Sequence, residues 1–197
     1  MTRPKLEQLR DYICHLLERE LASGLLYHSL AHTRDDVVPA AERLAEMEGL
    51  TGEARLLLVT AAWLHDVGFT RQMAGHETLS AAMAGEILPG FDYHAGQIET
   101  VQTAIMATKL PQSPKSLLEE IMADADLDVL GREDFMSRNE ALRQELRYFG
   151  REFTDLEWYT GQANFLRAHQ YFTRSAQALR NAQKQRNLAT LQEKIAT

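Results

Sequence analysis

The fold of this chain is decided by one stretch, residues 61–69, which reads Ala-Ala-Trp-Leu-His65-Asp66-Val-Gly-Phe. The residues from 56 to 64 are almost all apolar, so the predicted helix is hydrophobic on most sides and belongs in a protein core. An imidazole beside a carboxylate is costly to bury without hydrogen-bond partners or a metal ion. The stretch therefore predicts a core helix that ends in a polar or metal-binding site, and the other members of that site must come from elsewhere in the chain.

The composition is that of an ordinary globular protein. Its 197 residues are enough for one domain with a substantial core, and 45% of them are hydrophobic and 25% charged. The formal net charge is −7, from 21 basic and 28 acidic residues, which argues against a general binder of nucleic acids or anionic membranes. A small phosphate substrate stays possible, because a bound metal changes the local field.

Cysteine usage and the N-terminal sequence bear on the cellular location. The single Cys14 allows neither an internal disulfide nor a cysteine-built zinc site, and its apolar helical neighbours predict a buried thiol. The first residues form no apolar run of the signal-peptide type, and no segment is long enough to span a bilayer. We therefore expect a cytoplasmic protein that does not bind membranes.

Helical periodicity recurs along the chain, and no segment alternates with the period of a strand. The prediction is an all-α fold of roughly eight to ten helices in one domain, residues 1–197, with Pro39 inside a kinked helix or at a break between two helices. The last helix, from residue 173, carries five basic side chains and one acid, which predicts a solvated face; a partner-binding or oligomer-forming helix is the alternative. The predicted helices before it cover residues 4–22, 27–48, 51–64, 76–88, 94–109, 116–122, 133–149 and 154–169.

An acidic cluster offers partners for the His65-Asp66 pair. Asp124, Asp126 and Asp128 are spaced by two, as in a calcium loop, but the glycine and the glutamate that complete such a loop are missing. If the region is helical, Asp124 and Asp128 share a face and Asp126 points to the opposite side. We expect one of the three acids to face the histidine and aspartate, and either Asp124 or Asp126 to be the last ligand.

Two further histidines precede the core helix. His28 and His32 are four residues apart, so both imidazoles can face one pocket if the segment is helical. His32, the His65-Asp66 pair and one aspartate would supply two nitrogen and two oxygen donors. That donor set suits Mn, Fe, Zn or, with more oxygen, Mg.

The order His32, His65-Asp66, Asp126 resembles the HD-domain superfamily of metal-dependent phosphohydrolases, an all-α superfamily. The resemblance covers about residues 27–131, which would form the metal-site core, with the helices of residues 132–197 packing on it. It implies that these four residues hold a divalent metal (Mn, Mg, Fe or Zn) and that Asp66 also holds the attacking water. Tyr-His28-Ser-Leu-Ala-His32 is similar to a segment of the cyclic-nucleotide phosphodiesterases, which implies that His28 protonates the leaving oxygen. A residue that only orients a ligand is the alternative for His28.

The resemblance also indicates where a second metal or the substrate would bind. His76 and Glu77 lie where several HD families place such a residue, although the alternative for Glu77, which the sequence favours slightly, is a place in the first turn of a helix, where the helix dipole stabilises an acid. Positively charged side chains that could contact a phosphate are Arg34, Arg71 and Lys109, and His94 is expected to be a loop or cap residue.

The expected function is hydrolysis of a phosphomonoester or phosphodiester bond in a nucleotide or other small phosphate ester, by a water that the metal activates. The partner would be that small phosphorylated substrate, with no nucleic acid and with a homodimer possible. The alternative is a non-catalytic, metal-containing ligand-sensing or scaffold domain. A di-iron oxygenase on the same fold would need more histidines than the chain provides.

Overall fold

A computed structural model of the chain describes residues 5–196, and that part contains nine α-helices and no strand. The all-α prediction and the predicted number of helices are therefore confirmed. The helices are α1 Leu6–Glu20, α2 Val38–Met47, α3 Gly52–Leu64, α4 His76–Ile87, α5 Ala95–Met106, α6 Leu117–Asp126, α7 Phe135–Tyr148, α8 Asp155–Ala168 and α9 Arg174–Ala196.

Helix α3 lies at the centre of the main hydrophobic core, as its apolar sequence predicted. Every residue from Leu57 to Leu64 is buried, so the helix has no solvated face along its second half. Helix α1 covers it with one stripe of residues at helical spacing, Leu9, Ile13 and Leu17. Burial on all sides fixes the direction in which α3 ends, and this direction positions the two residues that follow.

A π-helical segment leads into α2 and accounts for Pro39. Residues His32–Val37 form wide π turns, and Pro39 is the second residue of α2 immediately after them. Proline lacks an N–H and its ring would clash with the carbonyl four residues earlier, so wide turns accommodate it where an α-helix would not. The helical segment begins only at Leu30, so His28 precedes it. The helical spacing assumed for His28 and His32 is therefore wrong.

The acidic stretch is helical over more of its length than predicted. Helix α6 continues to Asp126, and a 3₁₀ turn, Asp128–Gly131, follows it. A similar 3₁₀ turn, Val67–Thr70, follows α3. The two turns redirect the chain just after the residues that carry the candidate chemistry.

Helices α7, α8 and α9 surround a second hydrophobic cluster and are tied to the first core by buried carboxylates. The cluster includes Tyr27, Phe135 and Leu166. Asp124 on α6 is fully buried and accepts hydrogen bonds from the backbone N–H groups of Phe172 and Thr173, each at 2.8 Å. It also accepts from Thr173 Oγ1 at 2.7 Å, so this one carboxylate holds the start of α9.

Helix α9 is only partly the solvated basic surface that its charge predicted. Arg174 and Arg186 are exposed, but Arg180 binds both carboxylate oxygens of Asp128, at 2.7 and 2.8 Å. Lys184 is 5% exposed and donates to His169 Nδ1 at 3.1 Å and to the His169 carbonyl oxygen. Two of its basic residues therefore stabilise the fold from inside.

Two further expectations concern Cys14 and the membrane. The Cys14 thiol is half-buried rather than fully buried, and burial raises its pKa. Within residues 5–196, none of the helices combines the length and the apolar character that crossing a bilayer requires.

Candidate metal centre and adjoining cavity

Four side chains from three segments meet next to the end of α3. Nε2 of His65 lies 3.2 Å from Asp66 Oδ2 and 3.5 Å from Asp126 Oδ1. Nε2 of His32 lies 3.8 Å from Asp66 Oδ2 and 3.5 Å from the same Asp126 oxygen. His32, His65 and Asp66 are buried, with donor atoms within 4.8 Å of one another, and the Asp126 side chain is 19% exposed. The structure thus brings together all four residues that the resemblance implied as metal ligands.

The local fold around α3 explains the orientation of the His65 ring. Its Nδ1–H donates to the carbonyl oxygen of Ala62 at 2.8 Å, which leaves Nε2 as the atom that faces the cluster. Asp66 then begins the 3₁₀ turn, in which Gly68 donates its N–H to Ser80 Oγ at 2.8 Å. A Cβ at Gly68 would overlap the His76 carbonyl oxygen and Ser80 Oγ, so only glycine allows α4 to approach this closely.

Unpartnered buried atoms show that the cluster fits a metal ion. His65 Nε2 and Asp66 Oδ2 are both buried and have no hydrogen-bond partner among the described residues. His32 Nδ1 is also buried and has no hydrogen-bond partner among the described residues, because Asp36 Oδ2 lies 3.8 Å from it, beyond hydrogen-bond distance. Such atoms are expensive to bury unless an ion or water completes them. Two imidazoles and two carboxylates are a donor set for a divalent metal.

The electrostatic field at the cluster is strongly negative. Burial lowers the pKa of His32 and His65, yet neighbouring carboxylates outweigh it and raise both pKa values overall. For His32 these are Asp126, Asp36 and Asp66, and for His65 they are Asp66 and Asp126. Burial alone would raise the pKa of Asp126, but the two imidazoles lower it to about 2. A field that attracts protons to buried imidazoles also attracts a divalent cation, which competes with those protons for the same nitrogen atoms.

The three aspartates of the acidic stretch have separate positions, and Asp126 is the one that faces the histidines. Asp124 is occupied by its three hydrogen bonds to Phe172 and Thr173. Asp128 is occupied by Arg180 and, at 3.2 Å, by Arg43. The sequence left Asp124 and Asp126 as alternatives, and the geometry favours Asp126.

His28 faces the site although it lies outside the helix. Its Nδ1–H donates to Glu145 Oε1 at 2.5 Å, and the other oxygen of Glu145 accepts from the backbone N–H groups of Tyr27 and His28, at 2.8 and 3.0 Å. Glu145 is 0% exposed, whereas the His28 side chain is 22% exposed. Burial would raise the pKa of Glu145, but its bonds to His28 lower it overall, which keeps it a carboxylate. Among the described residues, the anchored ring makes no hydrogen bond through its Nε2.

An aromatic stack connects His28 to His76. The Phe69 ring lies between them, with its centroid 4.2 Å from that of His28 and 4.0 Å from that of His76. His76 Nε2 is 3.5 Å from Asp66 Oδ1, the oxygen that does not face the histidine pair. Glu77 lies beside it, with Oε2 3.8 Å from His76 Nδ1. The structure therefore places both residues of this predicted pair next to the cluster.

The predicted phosphate contacts lie elsewhere on the protein. Arg34 is exposed and pairs with Asp35 at 2.8 Å, while Arg71 and Lys109 are exposed outside the cavity. His94 caps α5 by accepting from the Gln97 N–H, which confirms its expected role as a cap. The one arginine or lysine that lines the cavity among the described residues is Arg138, on α7.

A cavity of about 300 Å³ opens beside the four-residue cluster. One end is polar and includes His28, Asp66 and Asp126. Arg138 also lines the cavity, and it contacts Asp36 and Tyr27. The rest of the wall is largely apolar and comes mostly from the 3₁₀ turn after α6 and from α7 and α8. The residues of this wall are Leu127, Val129, Leu130, Phe135, Asn139, Leu142, Gln162 and Phe165.

Several residues of this site have no signal in the sequence. Glu145 and Arg138 read as two of the many charged residues of α7, and their partners are about 100 residues away. Asp36 is different, because its spacing of four residues from His32 in a helical segment indicates a neighbour of that ring. Only this last residue could have been found from the pattern.

Comparison with known proteins agrees with this geometry. The HD domain family matches residues 16–128. A predicted HD superfamily hydrolase from an uncultured Thermotogales bacterium has a similar structure, with 17% identity and a TM-score of 0.66 over 98% of this chain and 92% of that protein. A Lactobacillus plantarum protein has 19% identity and a TM-score of 0.66 over 95% of both chains. At these identities the two structures establish a shared fold.

A search among curated proteins found no match. The HD domain match nevertheless covers more than half of the sequence, and its span contains the four clustered residues His32, His65, Asp66 and Asp126. The chain therefore belongs to the HD domain family, a family of metal-dependent hydrolases.

Proposed function

We propose that the protein is a metal-dependent phosphohydrolase that cleaves a phosphomonoester or phosphodiester bond of a nucleotide or other small phosphate ester. One observation carries the proposal. Among the described residues, the buried His65 Nε2 and Asp66 Oδ2 have no hydrogen-bond partner, and Asp66 lines a cavity that is open to a small molecule. The proposed setting is the cytoplasm, with no nucleic acid or membrane as a partner.

His32, His65, Asp66 and Asp126 would hold the divalent ion. When bound, the ion polarises a phosphoryl oxygen and lowers the pKa of a neighbouring water. Asp66 has a second task, because its Oδ1 faces away from the histidine pair and lies 3.5 Å from His76 Nε2. This oxygen can accept a hydrogen bond from the attacking water and so direct it toward phosphorus.

His28 would protonate the leaving oxygen. Glu145 accepts the Nδ1–H, which fixes the ring and turns Nε2 toward the cavity that His28 lines. A positioned imidazole is a common general acid because it gains and loses its proton near neutral pH. If His28 only orients a ligand, its replacement should not lower kcat specifically for substrates with poor leaving groups.

Arg138 would bind the phosphate in place of the arginine and lysine residues proposed from the sequence. Its Nη2 donates to Asp36 Oδ2 at 2.6 Å, while its buried Nε has no partner in the described part of the chain. The guanidinium also lies over the Tyr27 ring, 5.3 Å from the centroid. Held from two sides, it presents a fixed positive charge to the cavity, and guanidinium geometry suits phosphate oxygens.

The test is metal content together with hydrolysis of nucleoside mono-, di- and triphosphates and cyclic nucleotides in the presence of manganese. We expect turnover by the wild type, and loss of both metal and turnover in the double variant with His65→Ala and Asp66→Ala. His94→Ala is the matched control, because this histidine caps α5 away from the cluster. Activity that survives the double replacement would show that the assignment is wrong. A wild type that retains metal and turns over none of these substrates would favour the ligand-sensing or scaffold alternative.

A further inference from the structure

Three side chains in the wall of the cavity form a directional chain of hydrogen bonds, which we call the amide relay. Trp158 Nε1–H donates to Asn139 Oδ1 at 2.7 Å. Asn139 Nδ2–H then donates to Gln162 Oε1 at 2.6 Å. Trp158 and Asn139 are each 4% exposed, and both Asn139 and Gln162 line the cavity.

The direction of the relay is set by chemistry. An indole nitrogen can only donate, so the atom of Asn139 that meets it must be the carbonyl oxygen. The amide nitrogen of Asn139 is then the atom that reaches Gln162, so it must meet the oxygen of that side chain. Gln162 is left with its Nε2, which has no hydrogen-bond partner among the described residues. The relay therefore turns the oxygen of Gln162 toward Asn139 and leaves its amide nitrogen, a donor, for whatever the cavity holds.

The apolar surroundings of the Gln162 donor make the choice between a donor and an acceptor on the ligand energetically important. The same wall is built from aliphatic and phenylalanine side chains, among them Leu130, Phe135 and Phe165. In apolar surroundings an amide donor that loses water must find an acceptor, and a ligand that offers a second donor instead is rejected. An alkyl group would fill the space but leave Gln162 Nε2 unpaired.

We propose that Gln162 is a specificity-determining residue that selects a flat heterocyclic ring carrying a carbonyl oxygen over the same ring carrying an amino group. The inference rests on the proposed function for the position of the phosphate, which the four ligands and Arg138 would hold at the polar end. A cavity of about 300 Å³ is at the lower end of the range for ligand sites, so it suits one mononucleotide and not an oligonucleotide. The substrate class is thus an oxo-base mononucleotide, of the uracil or hypoxanthine type.

Two pairs of nucleosides test this, because the members of each pair carry either an exocyclic oxygen or an amino group at the position that Gln162 would contact, together with a difference in the proton on the adjacent ring nitrogen. Uridine is compared with cytidine, and inosine with adenosine, by calorimetric titration of the purified protein with its metal. We expect the oxo member to bind about tenfold more tightly in at least one pair, the ratio that one hydrogen bond of ordinary strength gives. Equal or tighter binding of the amino members in both pairs overturns the proposal, and so does failure of all four to bind.

Variants of the relay make the test specific to its polarity. Gln162→Glu turns the donor into an acceptor and should invert the preference for the oxo nucleoside. Gln162→Met removes the donor and should bring the ratio of the two affinities near one. Asn139→Asp leaves Gln162 in place but replaces the amide that donates to it by a carboxylate. Gln162 must then donate its Nε2–H to that carboxylate and turn its oxygen to the cavity, so the preference should invert again. Asn164→Asp, on the exposed face of α8, is the control and should keep the wild-type ratio. An unchanged ratio in both Gln162 variants overturns the proposal.

Failure of this inference can be distinguished from failure of the proposed function. Nucleoside binding involves no bond cleavage, so it is measured without reference to turnover. Oxo preference without hydrolysis of any nucleotide would overturn the phosphohydrolase and leave the relay as a recognition device. Hydrolysis at equal rates for oxo and amino nucleotides, with no binding preference, would overturn the relay alone.

Discussion

Glu145 and His28 are separated by 117 positions in the sequence, yet Oε1 of the first and Nδ1 of the second lie 2.5 Å apart. The same carboxylate accepts the backbone N–H groups of Tyr27 and His28. A buried charge on α7 therefore fixes both the backbone and the side chain of a residue that no helix holds. If His28 is the general acid, the precision of the reaction depends on Glu145.

Glu145→Gln should reduce kcat by about tenfold to a hundredfold, the usual effect of losing the residue that orients an active-site histidine. The amide keeps the volume but offers a donor toward the His28 ring, so the ring loses its fixed orientation. Metal content should not change, because Glu145 contacts none of the four ligands. Steady-state kinetics and metal analysis on the same preparation measure both.

Glu140→Gln, an exposed position on the same helix, is the matched control. It should leave kcat and metal content at wild-type values. If Glu145→Gln had full activity on a substrate with a poor leaving group, Glu145 would have only a structural role.

Asp124→Ala and Asp126→Ala should have opposite consequences although the residues are two positions apart. Asp124→Ala removes three hydrogen bonds at the start of α9 and should lower the free energy of unfolding by about 2 to 4 kcal/mol, with metal retained. Asp126→Ala should lose metal and activity with a smaller effect on the metal-free fold. Urea unfolding and metal analysis separate the two effects, and loss of metal in Asp124→Ala alone would reverse the ligand assignment.

Metal binding should stabilise the wild type and not His65→Ala. An ion at 100 times its Kd adds about 2.7 kcal/mol to the free energy of unfolding. For a chain of this size that corresponds to a rise in Tm of about 5 to 10 °C. Thermal melts with manganese and with a chelator measure the difference, and an equal rise in His65→Ala would place the ion elsewhere.

His169 should make stability rise with pH. Burial, followed by the Lys184 charge, lowers its pKa from 6.5 to about 4, so between these values the unfolded chain binds more protons than the folded one. His169 therefore does not reduce the free energy of unfolding above pH 6.5. As the pH drops toward 4, it lowers that free energy by at most about 3 kcal/mol. His169→Gln should lack this component.

The measurement is urea unfolding of wild type and His169→Gln at several pH values from 4 to 7.5, and the informative quantity is the difference between the two proteins. Other groups, including the metal-site histidines, contribute equally to both and cancel. His15→Gln, on an exposed position of α1, provides the control and should follow the wild type. A constant difference between wild type and His169→Gln across the range would contradict the prediction.

The sequence carried enough information for most of the helices, and the resemblance to the HD superfamily supplied the members of the cluster. His65 and Asp66 follow a helix that is apolar on nearly all sides, and burial of such a helix leaves little freedom for its end. Separation of Asp126 from Asp124 follows from helical geometry, because α6 continues to Asp126, whereas Asp128 lies in the 3₁₀ turn beyond it. These features depend on local periodicity, which a sequence displays.

The cavity wall could not be predicted in the same way. Arg138 and Glu145 are ordinary charged residues in a helix with many others, and their function comes from contacts with Asp36 and His28 on a distant segment. The expectation that Lys184 belongs to a solvated face was wrong for a similar reason, because Lys184 donates to the ring and the carbonyl oxygen of His169 at the end of α8. Long-range pairing of polar groups leaves no period in the sequence.

The amide relay and Arg138 belong to α7 and α8, which lie beyond the residues 16–128 that match the HD domain family. The proposed ion-binding residues and the proposed ligand-reading residues are therefore encoded in consecutive parts of the chain, and Glu145 on α7 connects the two because it holds His28. An exchange of α7 and α8 between two proteins of this family would transfer the choice of molecule only if the incoming α7 kept a carboxylate at the position of Glu145. Under the proposed function, the family accounts for the type of reaction, and the last third of the chain accounts for the molecule on which it takes place.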